Sequence, residues 1–407
     1  MKHFPFLYII TLGLVLSCHH PEVEYVDFDT FQVLSVQSAP FFMEDGSMNP
    51  DVAVMGNTEL EEDTKVARTE AATLVRDLLG VMNSNKIIHI SGVYEGHDVD
   101  GSPLKLSGKL IVPASGPIKN LILVSHYTIG ANFECPSETF PMEALFAAKG
   151  YAVAVADYIG FGITADRVHP YMHTESTARS VVDMGLAVIP YLEHIGRAPE
   201  NSEVILFGYS QGGSTTLAVM DILQDEYFDE MPIRMVYAGG GPYDLAATFD
   251  VSMETGVTGI PCAIPMIVQG VNEGENLGLN MADFFKPRLL ENYKDWINSK
   301  RYTVSQINKN IQSKDLHDIM TDEGRDKNSR STARLYTALL KNSTLNFRPF
   351  SPIYLFHSRQ DQTVPFVNAL KAEQFFKGND IRYDFGDYGK HSMGAVRFIL
   401  TAYKDLP

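Results

Sequence analysis

A serine with glycines two residues before and two residues after it, Gly208-Tyr209-Ser210-Gln211-Gly212, stands between an apolar run at 204–209 and a stretch of helical character at 213–224. A serine hydroxyl is a poor nucleophile in water. It needs a base within hydrogen-bond reach and an acid that orients the base. A strand–turn–helix setting supplies the exposure, because the turn is too tight for a Cβ at either flanking glycine. Ser210 is therefore the candidate nucleophile of an acyl-transfer reaction.

The acid and the base belong to later loops. Asp361 follows the apolar run 353–357 in Gln360-Asp361-Gln362-Thr363-Val364-Pro365, at what would be the carboxyl end of a strand. Asp244, after the preceding strand, is the competing acid, and chain position favours Asp361. His391 lies in a glycine-flanked loop, Gly389-Lys390-His391-Ser392-Met393-Gly394, and completes the order Ser, Asp, His. His126, His169, His173 and His357 fit that order poorly. A tetrahedral intermediate also needs donors aimed at its oxyanion. The Gln211 backbone N–H is the first. The second is expected from His126-Tyr127-Thr128-Ile129-Gly130, as the Thr128 N–H or, alternatively, the Tyr127 hydroxyl. The chain has neither H-E-x-x-H nor the spaced Cys and His sets of a zinc site. Its glycine clusters lack the strand–GxGxxG–helix setting of a dinucleotide site, so neither metal nor cofactor is expected.

These residues must be held by a scaffold. Short β-branched runs at 87–94, 106–112, 121–125 and 151–156 read as strands, the first pair as an antiparallel hairpin around Gly96, Asp100, Gly101 and Pro103. Helical stretches at 141–149, 175–194 and 213–224 then alternate with strands at 204–209, 234–238, 353–357 and 381–385. Such alternation implies a mostly parallel sheet with helices on both faces, an α/β class. The interval 243–349 breaks it: Gly and Pro mix with apolar residues at 256–266 and 270–279, and 305–340 is polar and helical. It reads as an inserted, mainly helical cap that splits the core into 58–242 and 350–407. The stretch 59–82 also has helical periodicity.

The 407 residues include 45% hydrophobic and 20% charged residues, a globular balance. The formal net charge of −17 repels polyanions and argues against nucleic-acid binding. Lys2 and His3 precede an apolar run at 4–16, too short to span a bilayer, that ends in Val15-Leu16-Ser17-Cys18. This is the pattern of a lipoprotein-type signal peptide over 1–17, with Cys18 lipidated and membrane-attached, followed by a tether and extension at 18–57. Cys135 and Cys262 then remain as a candidate disulfide, with two buried free thiols as the alternative.

The combination resembles an α/β-hydrolase of the secretory lipase family. The resemblance spans about residue 87 to the C-terminus and is carried by Ser125-His126-Tyr127-Thr128, Asp157-Tyr158-Ile159-Gly160-Phe161-Gly162, His169-Pro170-Tyr171, the serine turn and the Asp361 and His391 loops. Tyr127 stands where many relatives have Gly. The resemblance implies a three-layer core with a helical insertion before the acid, and hydrolysis of a small-molecule, lipid or glycan ester through an acyl-enzyme. Asp157, Gly160 and Gly162 are expected to shape their loop rather than react. The rival readings are a peptidase or amidase with the same residues, and a catalytically silent lipid- or glycan-binding lipoprotein.

Overall fold

The computed structural model describes residues 23–41, 43, 49, 52–53, 86–378 and 380–407. The segment 1–17, Cys18 and the expected helix at 59–82 lie outside them. Among the described residues the strands are β1 (Gln32–Pro40), β2 (Val52–Ala53), β3 (Lys86–His97), β4 (Pro103–Pro113), β5 (Leu121–Ser125), β6 (Phe140–Pro141), β7 (Ala152–Ala156), β8 (Val204–Tyr209), β9 (Ile233–Gly239), β10 (Ile353–Ser358) and β11 (Ile381–Gly386). Nine form one sheet in the order β1-β3-β4-β7-β5-β8-β9-β10-β11, and β2 pairs separately with β6. Contacts from β1 to β7 are antiparallel and those from β7 to β11 parallel.

Every residue of β5, β7, β8 and β10 is buried, as their nearly unbroken apolar sequences require of strands covered on both faces. The period of two assigns their side chains to two layers. Leu121 and Leu123 of β5 join one core cluster, and Ile122 and Val124 the other. The first layer is completed by α1 (Thr174–His194) and α2 (Gln211–Glu226), through Val181, Val188, Leu217 and Leu223. Between β9 and β10 run α3 (Leu245–Thr255), α4 (Ala263–Gly274), α5 (Pro287–Tyr293), α6 (Val304–Ile311) and α7 (Arg330–Lys341), which share an apolar cluster of their own. After β10 come α8 (Val367–Phe375) and α9 (His391–Asp405); Phe398 and Ile399 of α9 build the second layer with Phe146 and Phe207.

The sheet has a switch point beside β5. The chain leaves β5 for β7 on one side and later returns to β8 on the other. Loops that diverge from adjacent strands leave a crevice at their carboxyl ends, where open α/β sheets bind ligands. His126 to Gly130 follow β5 and Ser210 follows β8, so the switch point brings two candidate segments together. Asp361 comes from the end of β10, two strands further along.

One expectation changes and one open alternative is decided. The stretch read as tether and extension contributes β1, an edge strand antiparallel to β3. Its side chains are mostly exposed, so no alternation marked it; its order comes from backbone pairing with the free edge of β3. Cys135 and Cys262 do not form a disulfide. Cys135 packs with Ile129 and Phe161 beside the β5 loop, whereas Cys262 packs inside the helical insertion, so each thiol is enclosed by a different apolar cluster. Burial raises the pKa of both. No helix of the described residues is long and apolar enough to cross a membrane.

Candidate active site

Ser210 sits between the last residue of β8 and the first of α2 with φ +61° and ψ −126°, a left-handed conformation that costs a β-carbon-bearing residue about 1–3 kcal/mol. The surroundings enforce it. Ser210 N donates to Gly239 O at 2.9 Å, and Gly213 N donates to Ser210 O at 2.9 Å. A Cβ on Gly208 would stand 2.3 Å from Gly212 O, and one on Gly212 only 1.9 Å from Ser125 O. The glycine spacing thus follows from the approach of the α2 start to the end of β5.

His391, the first residue of α9, meets both other candidates. Its Nε2 lies 2.8 Å from Ser210 Oγ, and its Nδ1 lies 2.6 Å from Asp361 Oδ2. An ionised carboxylate only accepts, so Nδ1 carries the proton and Nε2 is free to receive one from Ser210. Asp361 is fixed in turn by N–H donors at its other oxygen, Thr363 N at 2.8 Å and Val364 N at 2.9 Å. Burial pushes the Asp361 carboxyl up, but the charge and hydrogen bond of His391, the charge of His357 and the Val364 N–H outweigh it, leaving the pKa below its ordinary value. Tyr209, the residue before the serine, donates its hydroxyl to His391 O at 2.8 Å and so ties the histidine backbone to β8. All three site residues are buried.

Two of the candidate oxyanion residues, Gln211 and Thr128, border the same space as Ser210. Gln211 opens α2, so its N–H has no helical acceptor and sits at the positive end of the helix dipole. Thr128 lines the cavity that contains Ser210 and Gln211. Tyr127 lines a different, smaller cavity with Met142, Phe207 and Tyr209. Asp157 shapes this region: it accepts from Ser107 Oγ at 2.5 Å and from Ser137 N at 2.8 Å.

The remaining candidates have other partners. His126 Nδ1 lies 2.6 Å from Tyr127 O, and burial lowers the pKa of the imidazole to about 4. His173 meets Ser176 Oγ at 2.8 Å, and Asp244 caps α3 by accepting from Ala247 N at 2.8 Å. His357 is fully buried, donates to Val364 O at 3.1 Å, and stands 3.7 Å from Asp361 Oδ2. His169 contacts Gln211. Among the described residues no group of three or more His, Cys, Asp or Glu could hold a metal ion.

From Ser210 a cavity runs under the insertion, walled by Phe249, Met253, Ile260, Ile264, Ile267 and Leu339. Sequence reasoning placed none of these at the site. They come from α3, α4, α7 and the loop between α3 and α4, and each has the same apolar character as the insertion's own core. Tyr209 and Tyr171 were missed for the same reason, since a tyrosine's partner is not encoded near it in the chain.

A serine on a strand–helix turn at the carboxyl edge of a mostly parallel sheet, with an aspartate and a histidine from later loops, defines the α/β-hydrolase class. Within it the chain belongs to the secretory lipase family, whose model matches residues 133–388. It is 24% identical over 269 residues to a secreted triacylglycerol lipase of Malassezia furfur, covering 63% of this chain and 50% of that protein. The chain thus spans about half the length of the curated relative it matches. Its fold resembles that of a putative hydrolase of Legionella pneumophila, with a TM-score of 0.74, 19% identity and 92% and 96% of the two chains covered. It also resembles the rice cell wall degrading esterase LipA of Xanthomonas oryzae, with a TM-score of 0.67, 21% identity and coverage of 82% and 92%.

Proposed function

We propose that this protein is an exported serine esterase that hydrolyses carboxylic esters whose acyl part is apolar. The observation that carries the reading is the continuous hydrogen-bonded line from Asp361 through His391 to Ser210, at 2.6 and 2.8 Å, opening on an apolar cavity. Ser210 Oγ attacks the ester carbonyl while His391 Nε2 takes its proton. The Gln211 N–H, with the Thr128 N–H as second donor, stabilises the oxyanion. His391 then returns the proton to the departing alcohol, leaving the acyl group on Ser210. A water molecule repeats the sequence, giving its proton to His391, and the acid leaves as Ser210 is restored. Asp361 keeps its charge throughout and stabilises the imidazolium.

Export is supported by the family and by the basic-apolar pattern at 1–17, with Cys18 as the lipidated first residue of the mature chain. The cavity favours an ester over a peptide, because its walls away from Ser210 offer few groups to pair with a peptide's amides. The test is labelling by a fluorophosphonate probe followed by peptide mapping. Modification at Ser210, lost in Ser210→Ala, is expected together with hydrolysis of p-nitrophenyl esters. Absence of labelling in the wild-type protein would overturn the reading in favour of a silent binding protein. Mass spectrometry of protein purified from membranes is expected to find diacylglycerol on Cys18, and an unmodified N-terminus would exclude the anchor.

A further inference from the structure

The two oxyanion donors come from different loops, one after β5 and one after β8, and no covalent connection sets their separation. One tripeptide touches both residues. Tyr171 Oη lies 2.7 Å from Thr128 Oγ1, and His169 Nε2 lies 3.3 Å from Gln211 Nε2. We propose that His169-Pro170-Tyr171 is a positioning element that braces the Thr128 and Gln211 backbones at the spacing an oxyanion requires. This rests on the esterase reading and adds to it residues that act through Thr128 and Gln211 rather than on the reacting atoms, although Tyr171 also lines the Ser210 cavity.

The tripeptide is suited to the task because it cannot move independently. Gly160, at φ +90°, admits the His169 backbone, and a Cβ there would stand 2.6 Å from His169 Cα. On the other side a Cβ on Gly270 of α4 would stand 2.2 Å from Tyr171 N. The segment is closed on itself by Tyr171 N donating to His169 O at 2.8 Å and His173 N donating to Pro170 O at 2.9 Å. Both side chains are buried.

The hydrogen-bond directions are determined by the partners. Ile159 O can only accept, so His169 Nδ1, 2.7 Å away, carries the proton. Gln211 Nε2 can only donate, so His169 Nε2 must be unprotonated. The contact therefore needs a neutral imidazole. Burial holds the His169 pKa well below its ordinary value, and the Lys300 charge acts in the same direction. That ammonium lies 4.8 Å from the centre of the Phe161 ring, which packs 5.0 Å from His169. Gln211 in turn follows the strained Ser210, and a strained peptide persists only when its surroundings over-determine it. The His169 contact is one such restraint.

The test uses the full chain, with kcat and KM for p-nitrophenyl butyrate and the rate of fluorophosphonate labelling at Ser210. Tyr171→Phe and His169→Leu are each expected to lower kcat and the labelling rate by roughly three- to tenfold, the scale of one hydrogen bond, with KM within about twofold. His169→Gln, which offers a carbonyl acceptor near the former Nε2, is expected to recover most of the loss. Tyr171→Phe in a Thr128→Val background should cost nothing further, because its partner is already gone. Unchanged kcat in both single variants, a loss confined to KM, or an undiminished Tyr171→Phe effect in the Thr128→Val background overturns the brace. If His169→Leu fails to fold, Tyr171→Phe decides, since it deletes a single oxygen. A wild-type protein that does not label at Ser210 overturns the esterase reading and the brace with it, whereas equal labelling of wild type and variants overturns the brace alone.

Discussion

The carboxyl edge of the sheet and the helices inserted between β9 and β10 both contribute to one cavity, yet they are built by different rules. At the sheet edge almost every atom is constrained. Gly208 and Gly212 cannot carry a Cβ, Ser210 is in a left-handed conformation, Asp361 accepts from Thr363 N, Val364 N and His391, and Tyr209 holds the His391 backbone. In the insertion the cavity wall is made of Phe, Met, Ile and Leu side chains that differ little from those of the insertion's own core. Directional hydrogen bonds specify one geometry, whereas apolar packing specifies a volume and tolerates exchange of similar side chains. On the proposed function, chemistry and selectivity are separable: the sheet edge sets what reaction occurs, and the insertion sets which acyl group reaches it.

Substitutions can break that division. The largest effect is expected at the sheet edge, where Ser210→Ala should lower kcat by roughly a millionfold for every ester tested, whatever its acyl length. Asp361→Asn, which alters the tautomer His391 can present, should cost about ten-thousandfold in kcat with little change in KM. A loss that depended strongly on acyl length in either variant would contradict the division. Gly212→Ala places a carbon 1.9 Å from Ser125 O and should destabilise the fold by about 3 kcal/mol or more, read as the shift in a urea midpoint.

A smaller effect concerns stability without chemistry. Burial raises the Glu143 carboxyl, which lines the Tyr127 cavity, to about 7. Between the ordinary value of 4.5 and about 7 the unfolded chain has lost this proton while the folded one keeps it, so stability falls as pH rises through that window. The contribution is at most about 3 kcal/mol. Glu143→Gln should remove it, raising Tm relative to wild type at pH 8 and leaving it nearly equal at pH 4.5, with ester hydrolysis unchanged. Equal Tm differences at the two pH values would show that the carboxyl does not titrate in this range. The smallest effect falls on the insertion: Ile264→Trp should reduce kcat/KM for long acyl chains by about tenfold while sparing acetate, shifting preference rather than abolishing activity. A uniform loss across acyl lengths would mean that the insertion takes part in the chemistry.

Local sequence signals were enough for the α/β class, the strands that carry the site and the chain order of the candidate serine, aspartate and histidine. These rest on local information: short apolar, β-branched runs, a glycine spacing that only a tight turn requires, and a loop following each strand. Even Gly208 and Gly212 were interpretable from the chain, because the atoms they would strike belong to that turn or to the strand beside it. Tertiary structure alone decided the rest. It separated Thr128 from Tyr127 across two cavities, placed His357 and His169 behind the site, enclosed Cys135 and Cys262 in different clusters and paired β1 with an edge that its exposed side chains did not announce. It also gathered the cavity wall from helices far apart in the chain. Apolar packing and long-range hydrogen bonds depend on which surfaces meet, and that information is absent until the sheet and the insertion have closed on each other.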